Sequence, residues 1–447
     1  MLDKILNSKV FWFTNSREIK LLLLIGLVYR VLMFGFYLHS NIFPDSGGFV
    51  ELGDRMSKLD LTGYGGERSP GYPLLYVLTF QSTRITVILQ FGIGVITTIF
   101  WYKTLLNLNF NKKNSFWITL FLQSFLTVFL YESSFLIETI ALFLISVIFY
   151  FLSNAYFEKK SLKLELLMSF LMGYLVIVKP FFAYIPFIIY GFSVLKNFRF
   201  SNFISQKLII LVLPLISYFG WSYVNKLNTG YFVSTTYYGL NIAQNCVYFA
   251  EKGPKEYNWI NKSYVKHREL SIKKNEDVAM TIWRSYGSGD FDFKCWNFAD
   301  LSNELGKYGK ATIMKNPEDY LQQVFTRSWF DFWLVFGKKE FTPFRVTFFN
   351  KAMDGIWFVQ HIILLFFKFS FLLLTPFYIF KFLRDRKVTM EIIIVAIVFA
   401  TSLLQGLVTY GTNSKYAFPF EFLMIILVLL FVKNYVRFSK RLNIFLK

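Results

Sequence analysis

Apolar runs long enough to cross a bilayer recur along this chain, and no other feature limits its fold as tightly. About 30 Å of hydrocarbon takes roughly 20 helical residues at about 1.5 Å each. Runs near that length are expected to span at 20–38, 82–106, 115–131, 134–155, 162–178, 181–196, 206–226, 355–381, 389–409 and 416–433. A segment surrounded by lipid must satisfy its own backbone hydrogen bonds, so these runs read as helices. The expected class is an all-α polytopic membrane protein with about ten transmembrane helices. The stretch 162–196 is divided because "VKPFF" puts a charge and a proline at its middle, which suits a hairpin turning at Lys179-Pro180. The first run follows a basic start and lacks a small-x-small cleavage pattern, so it reads as an uncleaved span.

The chain carries 48 Lys and Arg against 28 Asp and Glu, a formal charge of +20. Placing the N-terminus in the cytoplasm collects most of that excess in inside loops such as "WYKTLLNLNFNKKN", "FEKKSLK", "LKNFRFSNFISQK" and "FKFLRDRK". The turns "YESS", "VKP" and "YGTNSK" then fall outside with few bases. The positive-inside rule therefore selects N-in, C-in, and the charge calls for no nucleic-acid partner. Two larger segments lie outside in this topology. One is the first external loop, 39–81. The other is 227–354, which divides a transmembrane region over residues 1–226 from a second over residues 355–447. Cys246 and Cys295 both fall in the second segment. An oxidising exterior permits a disulfide there, and spacing alone leaves the pairing open.

The first external loop contains "FPDSGGFVELGDRMSKLDLTGYGGERSPGYPLL", residues 43–75. Phe49, Leu52, Met56 and Leu59 repeat on one helical face, with Glu51, Asp54, Arg55 and Lys58 opposite, as in an amphipathic helix lying on a membrane. Glycines end it, and "PGYPLLYVLTF" reads as a short half-buried re-entrant helix. In the larger segment "ADLSNELGKYGKATIMK" reads as helix. A second helix is expected to start with Asn316 as N-cap, Pro317 at its first position, and Glu318 and Asp319 in its first turn. Together they form a small external helical cap, too lean in apolar residues to fold separately.

Charges at membrane depth are expensive and usually mark a site or a paired strut. Asp45, Glu132, Glu138, Lys179, Asn413 and Lys415 all sit at the outer ends of expected spans. Arg68 and Arg84 flank the re-entrant segment, and Arg30 lies within the first span. One outward cavity holding an acid and several cations follows. There a carboxylate takes a proton from an acceptor while Lys or Arg neutralises a phosphate leaving group. Plainer roles compete: Lys179 and Lys415 as snorkelling cations, Glu138 as a strut to Arg30, Asp45 as an N-cap. There is no P-loop, dinucleotide fingerprint or CxxC. His39, His267 and His361 are scattered, which argues against a His-based metal site, while a carboxylate-held divalent metal stays open.

In order along the chain, "FPDSGGFVELGDRM", "RSPGYPLL", "SSFLIETIALFLI", "GYLVIVKPFFAYIP", "WSYVNKLNTGYFVSTTYYGLNI", "IMKNPEDYLQQVFTRSWF" and "NSKYAFPFEFLMII" resemble the GT-C superfamily of glycosyltransferases that use polyprenyl-phosphate sugars. Protein O-mannosyltransferases and the lipid A aminoarabinose transferase are relatives. The resemblance implies Asp45 as general base, Arg68, Lys179 and Lys415 on the lipid phosphate, and Tyr72, Glu138 and Tyr416 completing the substrate-binding set. It implies inverting transfer from a polyprenyl-phosphate sugar donor to a lipid, glycan or protein acceptor, at the external face of a bacterial inner membrane. Members often carry a second acid where this chain has Ser46, and an arginine where it has Lys415. Two other functions fit a many-span chain. An O-antigen-type polymerase or ligase would put its key bases in the large loop, and a lipid-linked-glycan flippase or transporter would show two related halves.

Overall fold

A computed structural model describes residues 16–436. The basic N-terminal start and the end of the basic C-terminal tail, on which the N-in, C-in expectation partly rests, lie outside the described residues. Every regular element described is helical. The first half contains α1 (Arg17–Tyr37), α2 (Pro44–Ser57), α3 (Gly71–Leu78), α4 (Thr83–Asn107), α5 (Lys112–Gln123), α6 (Leu126–Glu132), α7 (Glu138–Ser153), α8 (Leu162–Val178), α9 (Tyr184–Leu195) and α10 (Val212–Thr229). Then come α11 (Tyr237–Gln244), α12 (Asn258–Lys273), α13 (Thr281–Gly287), α14 (Phe298–Lys315), α15 (Pro317–Gln323) and α16 (Trp329–Phe332). The chain closes with α17 (Thr347–Asp385), α18 (Met390–Val408), α19 (Ser414–Ala417) and α20 (Glu421–Tyr435).

Each expected span coincides with helix, but not each helix has bilayer length. Among the described residues, six helical stretches are long and apolar enough to cross a membrane, and seven if the bent pair α5–α6 counts as one. This is consistent with an integral membrane protein. α7, α8 and α9 are shorter, at 16, 17 and 12 residues. The run expected at 115–131 is not straight: α5 and α6 meet at 58°. A break in apolar surroundings exposes backbone groups that need partners. Gln360 of α17 supplies both, accepting from Leu126 N at 2.7 Å and donating to Ser124 O at 2.9 Å.

Sequence patterning sets which helices lie inside. α7 is apolar on all sides and buried at nearly every position, and α20 is buried at nine of its first ten residues, as central helices must be. Of the apolar stretch of α20, 78% is buried, against 28% in α1 and in α17, which form the outer wall. Buried ions hold the wall to the centre. Arg30 of α1 donates from Nε and Nη2 to the two oxygens of Glu132, each at 2.6 Å. The competing role of Glu138 as a strut to Arg30 is therefore not found, since Arg30 pairs six residues earlier in the chain. Lys368 of α17 pairs with Glu421 of α20 at 2.9 Å.

The segment between α10 and α17 has its own buried cluster, including Leu240, Phe249, Ile260, Tyr264, Leu305 and Tyr308. Large rings such as Tyr264 and Tyr308 bury fully there. α15 begins at Pro317 with Asn316 in the N-cap position, as expected, but the Asn316 side chain makes no capping bond: its amide donates back to Thr312 O and Lys252 O. Cys246 is buried in this cluster and Cys295 is exposed, both as free thiols.

Candidate active site

The chain leaving α1 is pinned beside the α6–α7 linker. Asn41 N donates to Ser133 O and Phe135 N to Asn41 O, each at 2.9 Å. Ser46 Oγ, one residue after Asp45, donates to Phe135 O at 2.9 Å. These bonds bring the start of α2 to the start of α7, and so Asp45 towards Glu138. Asp45 lies in the first turn of α2, behind Pro44, where the helix dipole favours an acid. The helix cap is Phe43, so Asp45 is not the N-cap. Phe49 and Leu52 form the buried face as expected, but α2 ends at Ser57 and Leu59 is 94% exposed.

Two glycines set the approach of the neighbours. At Gly48 a Cβ would lie 2.9 Å from Arg68 Nε, so its absence lets the Arg68 side chain lie along α2. At Gly71 a Cβ would lie 2.5 Å from Val178 N, so the start of α3 seats directly on the end of α8, one residue before Lys179. On the other side, Ser414 N donates to Asp331 Oδ2 at 2.9 Å, and Asn413 Nδ2 donates to Ser328 O at 2.9 Å. These bonds hold α19 and hence Lys415.

The resulting arrangement centres on Asp45. Arg68 Nη2 donates to its Oδ1 at 2.8 Å, and Lys415 Nζ donates to its Oδ2 at 3.0 Å. Lys415 Nζ also lies 3.8 Å from Glu138. The Arg68 guanidinium sits over the rings of Tyr237, at 4.6 Å, and Phe49, at 5.0 Å. Lys179 Nζ lies 3.3 Å from the centre of the Tyr416 ring. All of these residues line one cavity of about 530 Å³, which reaches between α2, α7, α8, α10, α11, α18 and α19. The Asp45 carboxylate stays 40% exposed into it.

Charge in the cavity is finely set. Burial pushes the Asp45 carboxyl up, but Lys415 and Arg68 outweigh it and hold it well below the usual carboxylate range. Burial pushes the Lys179 ammonium down to about 7, with Glu138 opposing and Lys415 adding to the effect. Arg68 Nε and Glu138 Oε2 are buried with no hydrogen-bond partner in the protein. Orphaned polar atoms of this kind call for a ligand or water.

Asp45, Arg68, Glu138, Lys179, Lys415 and Tyr416, all singled out from the sequence, thus meet in one place. Tyr72 does not join them. It is fully buried behind Phe49, donating to Gln90 Oε1 at 2.8 Å. Arg84 is exposed on the first turn of α4. Sequence reasoning passed over Glu67, Tyr237 and Gln405, which also line the cavity. Glu67 adjoins Arg68, and Tyr237 lies inside "STTYYGLNI", so both were within stretches already marked.

Among the described residues no three His, Cys, Asp or Glu side chains come together as metal ligands. A Ser–His–Asp meeting in the α11–α14 segment is not a relay. His267 Nε2 faces both Asp290 Oδ2, at 3.0 Å, and Ser288 Oγ, at 3.1 Å, whereas a relay uses the two ring nitrogens separately. Comparison of the chain with protein-family models, with curated proteins and with solved structures gives no match.

Proposed function

We propose that this protein is an inverting membrane glycosyltransferase of GT-C type, moving a sugar from a polyprenyl-phosphate donor to a lipid, glycan or protein acceptor. The observation that carries the reading is the meeting of one accessible carboxylate, Asp45, with Arg68, Lys415 and the neighbouring Lys179 in a single cavity. An acceptor hydroxyl gives its proton to Asp45 as its oxygen bonds to the anomeric carbon. The bond from that carbon to the phosphate oxygen breaks, and the electron pair leaves with polyprenyl phosphate. Arg68, Lys415 and Lys179 stabilise the charge that gathers on the leaving phosphate. Aromatic and apolar groups on the same wall, Phe181, Tyr218 and Phe232, suit the first isoprene units. In this reading the ten helical segments cross the bacterial inner membrane N-in, C-in, and the cavity opens at the external face beneath the α11–α14 cap.

The test uses purified protein in nanodiscs, supplied with sugar-labelled lipid extract from the source membranes. Release of polyprenyl monophosphate together with loss of labelled donor supports the reading. Release of polyprenyl pyrophosphate instead identifies a polymerase or ligase, and no release of either sinks the proposal.

A further inference from the structure

Both oxygens of Asp45 are in use. Oδ1 holds Arg68 at 2.8 Å and Oδ2 holds Lys415 at 3.0 Å. These are the cations that a donor phosphate needs, and a carboxylate held by two cations is a poor proton acceptor. Lys179 is the cation left without a carboxylate partner among the described residues of the cavity, resting on the ring of Tyr416. The cavity lining sets Arg68, Lys179 and Lys415 against Asp45, Glu67 and Glu138. A phosphodiester therefore brings a negative charge into a site whose two best-placed cations are committed. Arg68 Nε, buried and unpartnered, gives the guanidinium a donor to spare for an anion beside Asp45.

We infer that the donor phosphate takes Arg68 and Lys415 over from Asp45, and that this exchange frees the carboxylate to accept the acceptor's proton. The inference rests on the glycosyltransferase reading above. Before donor binds, Asp45 stands where the phosphate will stand, as an internal anion on the same two cations. Binding of donor then activates the base, so an acceptor that arrives first meets a carboxylate unfit to take its proton. Donor binds before the acceptor is activated, and water that enters ahead of donor is not activated either. Asp45 has two opposed effects: it is needed for transfer, and it antagonises phosphate binding.

The experiment measures binding of labelled undecaprenyl phosphate, at one fixed pH and ionic strength, to the full chain in nanodiscs. Wild type is compared with Asp45→Asn and Lys415→Met. Removing a competing anion should tighten binding in Asp45→Asn by about 5- to 150-fold, the usual range for two coupled sites. Lys415→Met should weaken it. Saturable binding to wild type with equal or weaker binding to Asp45→Asn overturns the exchange and leaves the glycosyltransferase reading standing. Absence of saturable binding to wild type overturns both.

Should Asp45→Asn fail to accumulate, wild type alone decides. Facing Asp45 are Arg68, Tyr237, Lys415, Tyr416, Glu138 and Lys179, and Lys415 and Arg68 are the two that hold its carboxyl low. The acidic limb of kcat/KM for donor reports the donor-free enzyme, and that for acceptor reports the donor-bound enzyme. The acceptor limb should lie at higher pH, because donor has removed the cations from Asp45. Coincident limbs overturn the exchange.

Discussion

Replacing Gly71 with alanine tests how the cavity is held in shape. A Cβ at this position falls 2.5 Å from Val178 N, 2.6 Å from Ile177 C and 2.7 Å from Ile177 O. Ordinary contact begins at 3.4 Å, so α3 and the end of α8 must part by 3.4 − 2.5 = 0.9 Å. All three atoms are backbone, and no rotamer change can clear them. Tyr174 OH donates to Gly71 O at 3.0 Å across the same seam, and that bond is strained by the movement. Overpacking of this kind costs about 1–3 kcal/mol, and a lost hydrogen bond about 0.5–1.5 kcal/mol. Gly71→Ala should therefore destabilise the protein by about 2–4 kcal/mol, read from denaturant unfolding in detergent followed by circular dichroism. It should also displace Lys179, the next residue after α8. The control is Gly92→Ala in the middle of α4, where no atom lies within 4 Å of the new Cβ. Helix propensity alone predicts a gain there of about 0.5–1 kcal/mol. A Gly71→Ala variant within about 0.5 kcal/mol of wild type would show that α3 is not seated backbone to backbone on α8.

Three further outcomes follow from the structure. Glu132→Gln strands the buried Arg30 and should cost about 3–5 kcal/mol, while the pair Arg30→Met with Glu132→Met should cost much less than the sum; additive losses in a double-mutant cycle contradict this. Lys179 loses its proton near pH 7 in the folded protein against 10.5 ordinarily, so above pH 7 the unfolded chain holds a proton that the folded chain has lost. Stability attributable to Lys179 must then rise with pH from about 7 to about 10, and the difference in melting temperature between Lys179→Met and wild type should narrow across that window. A gap that stays constant tells against the assignment. Cys295 is exposed and Cys246 buried, so a membrane-impermeant maleimide applied outside intact cells should label Cys295 alone; labelling only after the cells are opened reverses the proposed topology.

The parts of the site legible in the sequence were the ones with an energetic signature. Asp45, Glu138, Lys179 and Lys415 stand out because charge at the end of an apolar run is costly unless it has a partner. Arg68 stands out because it flanks the re-entrant segment. What could not be read was direction. Tyr72 lies in the right turn but points into the core, because Phe49 and Phe135 close over it. Arg30 pairs with Glu132 rather than Glu138, and Glu132 ends a helix pair bent by 58° whose break is bonded by Gln360, more than two hundred residues away. Helix existence was legible from apolar runs, while helix length was not. α9 is interrupted before it reaches bilayer length, by the Pro180–Ala183 turn at one end and by Lys196 at the other. Glu67 and Tyr237 were invisible because a single acid beside an arginine, or one tyrosine among twenty-seven, carries no pattern of its own.

In the proposed function Asp45 drives transfer of one sugar at this cavity. Mass spectrometry of envelope glycans tests it most directly, in a deletion strain rescued by wild type or by Asp45→Asn at matched protein levels. Deletion should remove a single sugar mass from one glycan or lipid class, and wild type should restore it while Asp45→Asn does not. Full rescue by Asp45→Asn, or loss of whole polymers in place of one sugar, contradicts it.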